Sequence, residues 1–218
     1  MIIPNRFSGP TFAGLSIGLL GGSFNPAHAG HLKASLAAMK RLGLDQVWWL
    51  VTPQNPFKST HGMLPLAERV SRARTLMGRH PRLVVTDLEF ALGTRRTFDT
   101  LRALRRRMPR TRFVWLAGAD TWQAMGTWFR GDAIPTLIPL AVLRRPGSRT
   151  GRSVGRLGTR FVQGFGRLAE ARGLARRSPP AWLVLDNPRV DLSATRVRNA
   201  DLGQATKNMP GLRGIEAP

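Results

Sequence analysis

His28 and His31 stand three residues apart in "GGSFNPAHAGHL" (21–32), and they are half of the four histidines in a 218-residue chain. The stretch follows the apolar run "SIGLL" (16–20) and precedes a helical pattern, so both imidazoles fall where a strand gives way to a helix. At i and i+3 in a first helical turn they project from one face. Imidazole N–H groups beside a helix N-terminus, where backbone N–H groups and the helix dipole favour anions, suit phosphate oxygens during phosphoryl or nucleotidyl transfer. Two other readings stay open for a bare His-x-x-His: a structural pair, or two ligands of a metal. A catalytic zinc needs a third protein ligand, and neither His61, in a loop, nor His80, at a helix end, is well placed to supply it. Gly21 and Gly22 let backbone approach a phosphate, and Asn25-Pro26 turns the chain toward the helix.

The elements that must position this stretch recur along the chain. Short β-rich runs occupy 16–20, 46–52, 82–90, 112–118, 137–143 and 181–185, with helical patterns between them. Their nearly continuous apolar character indicates a parallel sheet covered on both faces. Leu32, Leu36, Met39 and Leu42 predict one buried face of the first helix, with Gly43 at its stop. A second helix is expected over 65–78, opened by Pro65. A third is expected over 97–107, with Arg102, Arg105, Arg106 and Arg107 on its surface. The alternation predicts an α/β domain, a Rossmann-like open parallel sheet with helices on both faces.

The chain carries 34 Lys plus Arg, only four of them lysine, against 12 Asp plus Glu. Phosphate-rich partners fit that balance, and so does arginine enrichment from coding bias. Residues 144–178 hold ten arginines and one acid, Glu170. They lack the interleaved aromatics that stack on bases, which favours a solvated surface insertion over a nucleic-acid-binding arm. Cysteine is absent, which excludes disulfides and thiol catalysis and fits a reducing cytoplasm. Gly14 and Gly18 interrupt the apolar run near the start, so it reads as a strand and not a signal peptide. No unbroken run is long enough for a membrane-spanning helix. The expected organisation is an N-terminal extension over 1–15, a domain over 16–201 with the arginine-rich insertion at about 146–178, and a flexible tail over 202–218.

The order Gly21-Gly22-Ser23-Phe24-Asn25-Pro26-Ala27-His28-Ala29-Gly30-His31 resembles the G-G-[ST]-F-[DN]-P-x-H-x-G-H signature of the H-x-G-H nucleotidyltransferases. Asn25 stands where Asp is the commoner choice. Further segments resemble the bacterial nicotinate-nucleotide adenylyltransferases of that superfamily. "TPQNPFKS" is similar to their loop after strand two, with Lys58 at the lysine. "TRRTFDTL" is similar to their T-x-D-T-L segment, although Arg96 replaces a frequent tyrosine. "LAGADTW" matches G-x-D, "RRPG" (144–147) matches as well, and "DLSATRVRN" resembles I-S-S-T-x-I-R, with Ala194 at the middle serine.

The resemblance implies adenylyl transfer from ATP to nicotinate mononucleotide, giving nicotinate adenine dinucleotide and pyrophosphate, with Mg²⁺ carried on the ATP. It implies catalytic roles for His28, His31, Lys58 and Arg198. ATP contacts are implied for Gly21, Gly22, Ser23, Phe24, His28 and His31 at the first turn. Gly118 and Asp120 lie near the adenosine part in this reading, and Ser193, Thr195, Arg196 and Arg198 near the phosphates. Lys58, Thr97 and Trp128 are implied for the mononucleotide, with Thr97 at the nicotinate end and Trp128 against the pyridine ring. Singly, Lys58 reads equally as a loop lysine, Asp120 and Thr97 as helix caps, and Trp128 as core. The alternatives in function are an adenylyltransferase for nicotinamide mononucleotide or phosphopantetheine, and a nucleic-acid-binding protein.

Overall fold

In the computed structural model, which describes residues 12–53, 62–144 and 155–186, six strands form one parallel sheet. They are β1 (Ser16–Gly22), β2 (Gln46–Val51), β3 (Leu83–Thr86), β4 (Arg112–Gly118), β5 (Leu140–Arg144) and β6 (Trp182–Asp186). Their order is β3-β2-β1-β4-β5-β6, and every neighbouring pair runs parallel. The chain moves outward from β1 to β3, crosses back to β4 and moves outward again. That reversal opens a crevice beyond the carboxyl ends of β1 and β4, and the arrangement is the Rossmann-like α/β fold that the alternation predicts.

Strand side chains alternate between two buried layers, which is why the runs look continuously apolar. Leu20, Val47, Trp49 and Val51 join a cluster with α1 (Ala29–Leu42) and α2 (Leu66–Met77). Ile17, Leu19, Trp48 and Leu50 join the opposite cluster with α3 (Leu88–Leu92), α4 (Thr97–Arg107) and α5 (Ala119–Met125). Gly43 ends α1 at φ 64°, and its N–H bonds the Met39 carbonyl.

Three expectations are corrected. In α1 Met39 and Leu42 are buried and Leu32 packs against the first cluster as expected, but Leu36 is exposed and Ser35 is buried instead. Ser35 tolerates burial because its hydroxyl accepts from Trp49 Nε1 (2.8 Å) and donates to the His31 carbonyl (2.8 Å). The run at 82–90 is a strand only to Thr86; Asp87 ends it and α3 follows, closed by Gly93 at φ 67°. The run at 137–143 enters the sheet only at Leu140, because Leu137 ends the 3₁₀ turn Gly131–Thr136.

Of the arginine-rich stretch, residues 155–178 are described. The chain passes from α6 (Gly155–Arg160) around the β6 edge, where the Gly166 N–H bonds the Trp182 carbonyl at 2.7 Å. A 3₁₀ stretch, Leu168–Arg176, then buries Ala171, Leu174 and Ala175 in the first cluster while Arg172 and Arg176 stay exposed. Phe12, inside the segment read as an extension, packs edge-on against Trp48 at 5.1 Å. The tail expected over 202–218 lies outside the described residues. Among the described residues, no helix is long and apolar enough to cross a membrane.

Candidate active site

The stretch between β1 and α1 places both imidazoles by backbone geometry. His28 is not inside the helix but caps it, with extended φ −144° and ψ 165°. Its Nδ1 accepts the Gly30 N–H (3.1 Å), and its own N–H donates to His31 Nδ1 (3.2 Å). This reciprocal pair is a capping box built from imidazoles, where short oxygen side chains are the usual choice. With each Nδ1 accepting a backbone proton, the neutral rings carry their hydrogen on Nε2, which fixes the donor nitrogen of both. The ring centroids lie 3.9 Å apart; His28 is nearly buried and His31 half-buried. Phe24, held at φ 47° and buried, stacks on Trp49 (4.9 Å) and touches the His31 ring (4.8 Å).

The glycines before this turn owe their identity to packing. A Cβ on Gly21 would stand 2.5 Å from Trp115 Cη2, and one on Gly22 would stand 3.3 Å from the Phe24 ring. Space beneath the strand end therefore demands glycine at 21, a reason that adds to the approach to phosphate expected from sequence.

Loops are knitted together behind the imidazoles by Arg69, on the buried side of α2. It is 1% exposed, and its guanidinium donates to four backbone carbonyls. Nε reaches Leu64 (2.8 Å), Nη1 reaches Ser23 (2.6 Å) and Thr52 (2.8 Å), and Nη2 reaches Pro53 (2.8 Å). Burial lowers its pKa, and the four carbonyl dipoles compensate the charge. Asn25 adds a second tie: its amide donates to the Gly62 carbonyl (3.0 Å) and its oxygen accepts the Leu64 N–H (3.2 Å). An aspartate, the commoner residue here, supplies only the acceptor half. Thr52 closes the set, its N–H and hydroxyl both reaching the Gly22 carbonyl (3.0 and 3.1 Å).

The other side of the crevice comes from β4 and the second face. Leu20 and Leu116 are register partners, so Gly22 and Gly118 end adjacent strands at the same level. Asp120 is exposed in the first turn of α5. Thr97 begins α4 one residue after its N-cap, Arg96. Trp128 is half-buried against the second cluster. The structure brings these last two regions together, because Phe98 meets Phe129 edge-on at 6.5 Å. Behind Thr97, Glu89 is buried with Thr100 Oγ1 donating to its Oε1 (3.2 Å); Thr94 and Thr100 hydroxyls lie 2.8 Å apart. Burial pushes the Glu89 carboxyl up to about 7, opposed by the Thr100 hydrogen bond.

The model of the cytidylyltransferase-like family matches residues 19–200. Three relatives carry the name probable nicotinate-nucleotide adenylyltransferase. That of Cereibacter sphaeroides is 51% identical over 84% of this chain and 96% of its own length. That of Methylorubrum extorquens is 50% identical over 84% and 99%, and that of Ruegeria pomeroyi 45% identical over 93% and 94%. The chain belongs to this nicotinate-nucleotide adenylyltransferase family. At the level of fold alone, it is similar to Plasmodium falciparum nicotinic acid mononucleotide adenylyltransferase complexed with NaAD. The TM-score there is 0.63 at 14% identity, covering 88% of this chain and 89% of that one.

Several residues that the adenylyltransferase signature singles out, Lys58, Ser193, Thr195, Arg196 and Arg198, lie outside the described residues, as does His61. His80 precedes β3, at the amino end of the parallel strands, whereas His28 follows the carboxyl end of β1, and the His80 Nδ1 accepts the Arg82 N–H at 3.2 Å. Among the described residues, no group of three or more His, Asp or Glu side chains is arranged to hold a metal ion. Arg69 and Glu89 escaped sequence reasoning. A signal was present for Arg69, which stands four residues before Ala73 on the buried face of α2; Glu89 fell in the run read as a strand, and its burial follows only from α3.

Proposed function

We propose that the protein catalyses adenylyl transfer from ATP to nicotinate mononucleotide, forming nicotinate adenine dinucleotide and pyrophosphate in NAD biosynthesis. The observation that carries this reading is the imidazole pair at the β1–α1 turn, with the Nε2 hydrogens fixed by backbone bonds to both Nδ1 atoms. In the proposed reaction a phosphate oxygen of the mononucleotide attacks the α-phosphorus of ATP, and the bond to the β-phosphate oxygen breaks. A phosphate monoester is nucleophilic at neutral pH, so positioning and charge stabilisation carry the rate.

His28 and His31 donate to phosphate oxygens of ATP as charge shifts onto the leaving pyrophosphate. Gly21, Gly22, Ser23 and Phe24 shape the floor beside them, with Gly118 and Asp120 toward the adenosine. Lys58 and Arg198 offset the growing charge, and Ser193, Thr195 and Arg196 bind the triphosphate. Thr97 and Trp128 receive the nicotinate ring. Mg²⁺ prefers oxygen ligands, and the imidazole-rich donor set at this turn suits phosphate oxygens better than that ion. We therefore assign Mg²⁺ to the ATP phosphates, where it neutralises charge. A cytoplasmic location, where ATP is available, and small-molecule partners belong to the same proposal. So does a domain extending over 16–201.

His31→Ala tests the assignment directly. Pyrophosphate release at saturating ATP and nicotinate mononucleotide is expected to fall about 10²–10³-fold, the usual loss of an oriented transition-state donor. Turnover near that of the native chain would remove His31 from the chemistry.

A further inference from the structure

Two arginines and two phenylalanines meet where the start of α4 faces the turn after α5. The Arg96 guanidinium carbon lies 4.0 Å from the centroid of the Phe129 ring. Arg130 approaches Phe98 (5.2 Å) and Phe129 (5.6 Å), and the two rings meet edge-on. Arg96, Phe129 and Arg130 are all exposed. The turn is tightly determined: Arg130 sits at φ 51°, and Gly131 leaves no room for a Cβ against the Met125 carbonyl. The ion pairs among the described residues are Arg72–Glu68, Arg144–Asp186, Arg160–Asp132 and Arg177–Glu170, and neither Arg96 nor Arg130 takes part.

A guanidinium stacked on an aromatic face keeps its N–H edge for a planar anion, and that fork matches a carboxylate with two parallel hydrogen bonds. A carboxamide matches it poorly, since it carries no charge and turns an NH₂ donor toward a donor. Arg96 directly precedes Thr97, and Phe129 directly follows Trp128, so the stack adjoins both residues assigned above to the nicotinate ring.

We propose that Arg96, stacked on Phe129 and reinforced by the charge of Arg130, recognises the nicotinate carboxylate and sets the preference for the acid over the amide mononucleotide. This rests on the adenylyltransferase reading and on the roles given there to Thr97 and Trp128. The guanidinium is a specificity residue and takes no part in bond making. Arg95, also exposed beside it, is the matched control for loss of a neighbouring charge.

The test compares kcat/KM for nicotinate and nicotinamide mononucleotides in the native chain, Arg96→Gln, Arg96→Lys, Phe129→Leu and Arg95→Gln. For Arg96→Gln the acid substrate is expected to lose at least about tenfold and the amide less than about twofold, with KM for ATP unchanged. Arg96→Lys is expected to restore part of the acid preference, because it keeps the charge and loses the fork. Phe129→Leu is expected to lower the preference by a smaller factor, and Arg95→Gln to leave it intact. Equal losses on both substrates, an unchanged ratio in Arg96→Gln, or an equal drop in Arg95→Gln would overturn the proposal while leaving the enzyme reading in place. A native chain inactive with both mononucleotides would overturn both.

Discussion

The β1–α1 turn and the α4–α5 region are held by different forces. Around the imidazoles, buried polar groups bind backbone to backbone: Arg69 joins four carbonyls, Asn25 spans two groups, and Thr52 returns to Gly22. Around Thr97 and Trp128 the surface contacts are edge-on rings and guanidinium groups over ring faces, with the polar Glu89–Thr100 link kept behind them. The first design fixes atoms closely, as oriented donors require, because each lost bond there leaves a buried group unsatisfied. The second lets side chains be exchanged with little penalty to the fold. On the roles proposed above, chemistry and substrate choice are thereby expected to be separable by mutation.

The hardest way to break the first region is Arg69→Leu, which strips the four carbonyls of their partner. A loss of about 3–5 kcal/mol is expected in denaturant unfolding, with activity falling as Ser23 and Thr52 part. A variant as stable as the native chain would show that these loops are held by something else. Next comes Gly21→Ala. Its methyl must displace the Trp115 ring, 2.5 Å away, and a cost of about 1–3 kcal/mol is expected for such overpacking, read from the same unfolding curves.

Glu89→Gln is expected to act through pH. Because burial raises the carboxyl to about 7, the folded chain keeps a proton that the unfolded chain releases at lower pH. That contribution to stability is complete below the ordinary carboxylate range and is lost as pH rises through about 7. Melting temperatures of the native chain should therefore fall across this window, and the glutamine variant should show a flatter profile and gain relative to it above the window. Parallel profiles would locate the titration elsewhere. The smallest effect belongs to Phe129→Leu, for which a stability change within about 0.5 kcal/mol is expected at an exposed stack. A large loss would mean that both regions are structural, and the contrast between them would fail.

Much of this is legible in the sequence. Continuous apolar runs separated by helical patterns specify a parallel sheet, since only a sheet covered on both faces needs them. Gly43, Pro65 and the bounds of β4 were readable because caps and strand composition are local properties. The boundary at Asp87 was not, because a short run rich in Val, Thr and Phe satisfies a strand and a following helical turn alike. Ser35 likewise displaced Leu36 from the core through a bond to Trp49, a residue distant in sequence.

Local chemistry determined that two imidazoles stand at a strand-to-helix turn, since residue type, spacing and turn signals all lie within a dozen positions. Only the tertiary structure decided which ring nitrogen carries the proton, why position 21 admits nothing larger than glycine, and that Arg69 ties the loops after two different strands. The first depends on the backbone path of the turn, and the other two on a ring or acceptors contributed from elsewhere in the chain; distance through space is set by packing, which a one-dimensional pattern does not contain.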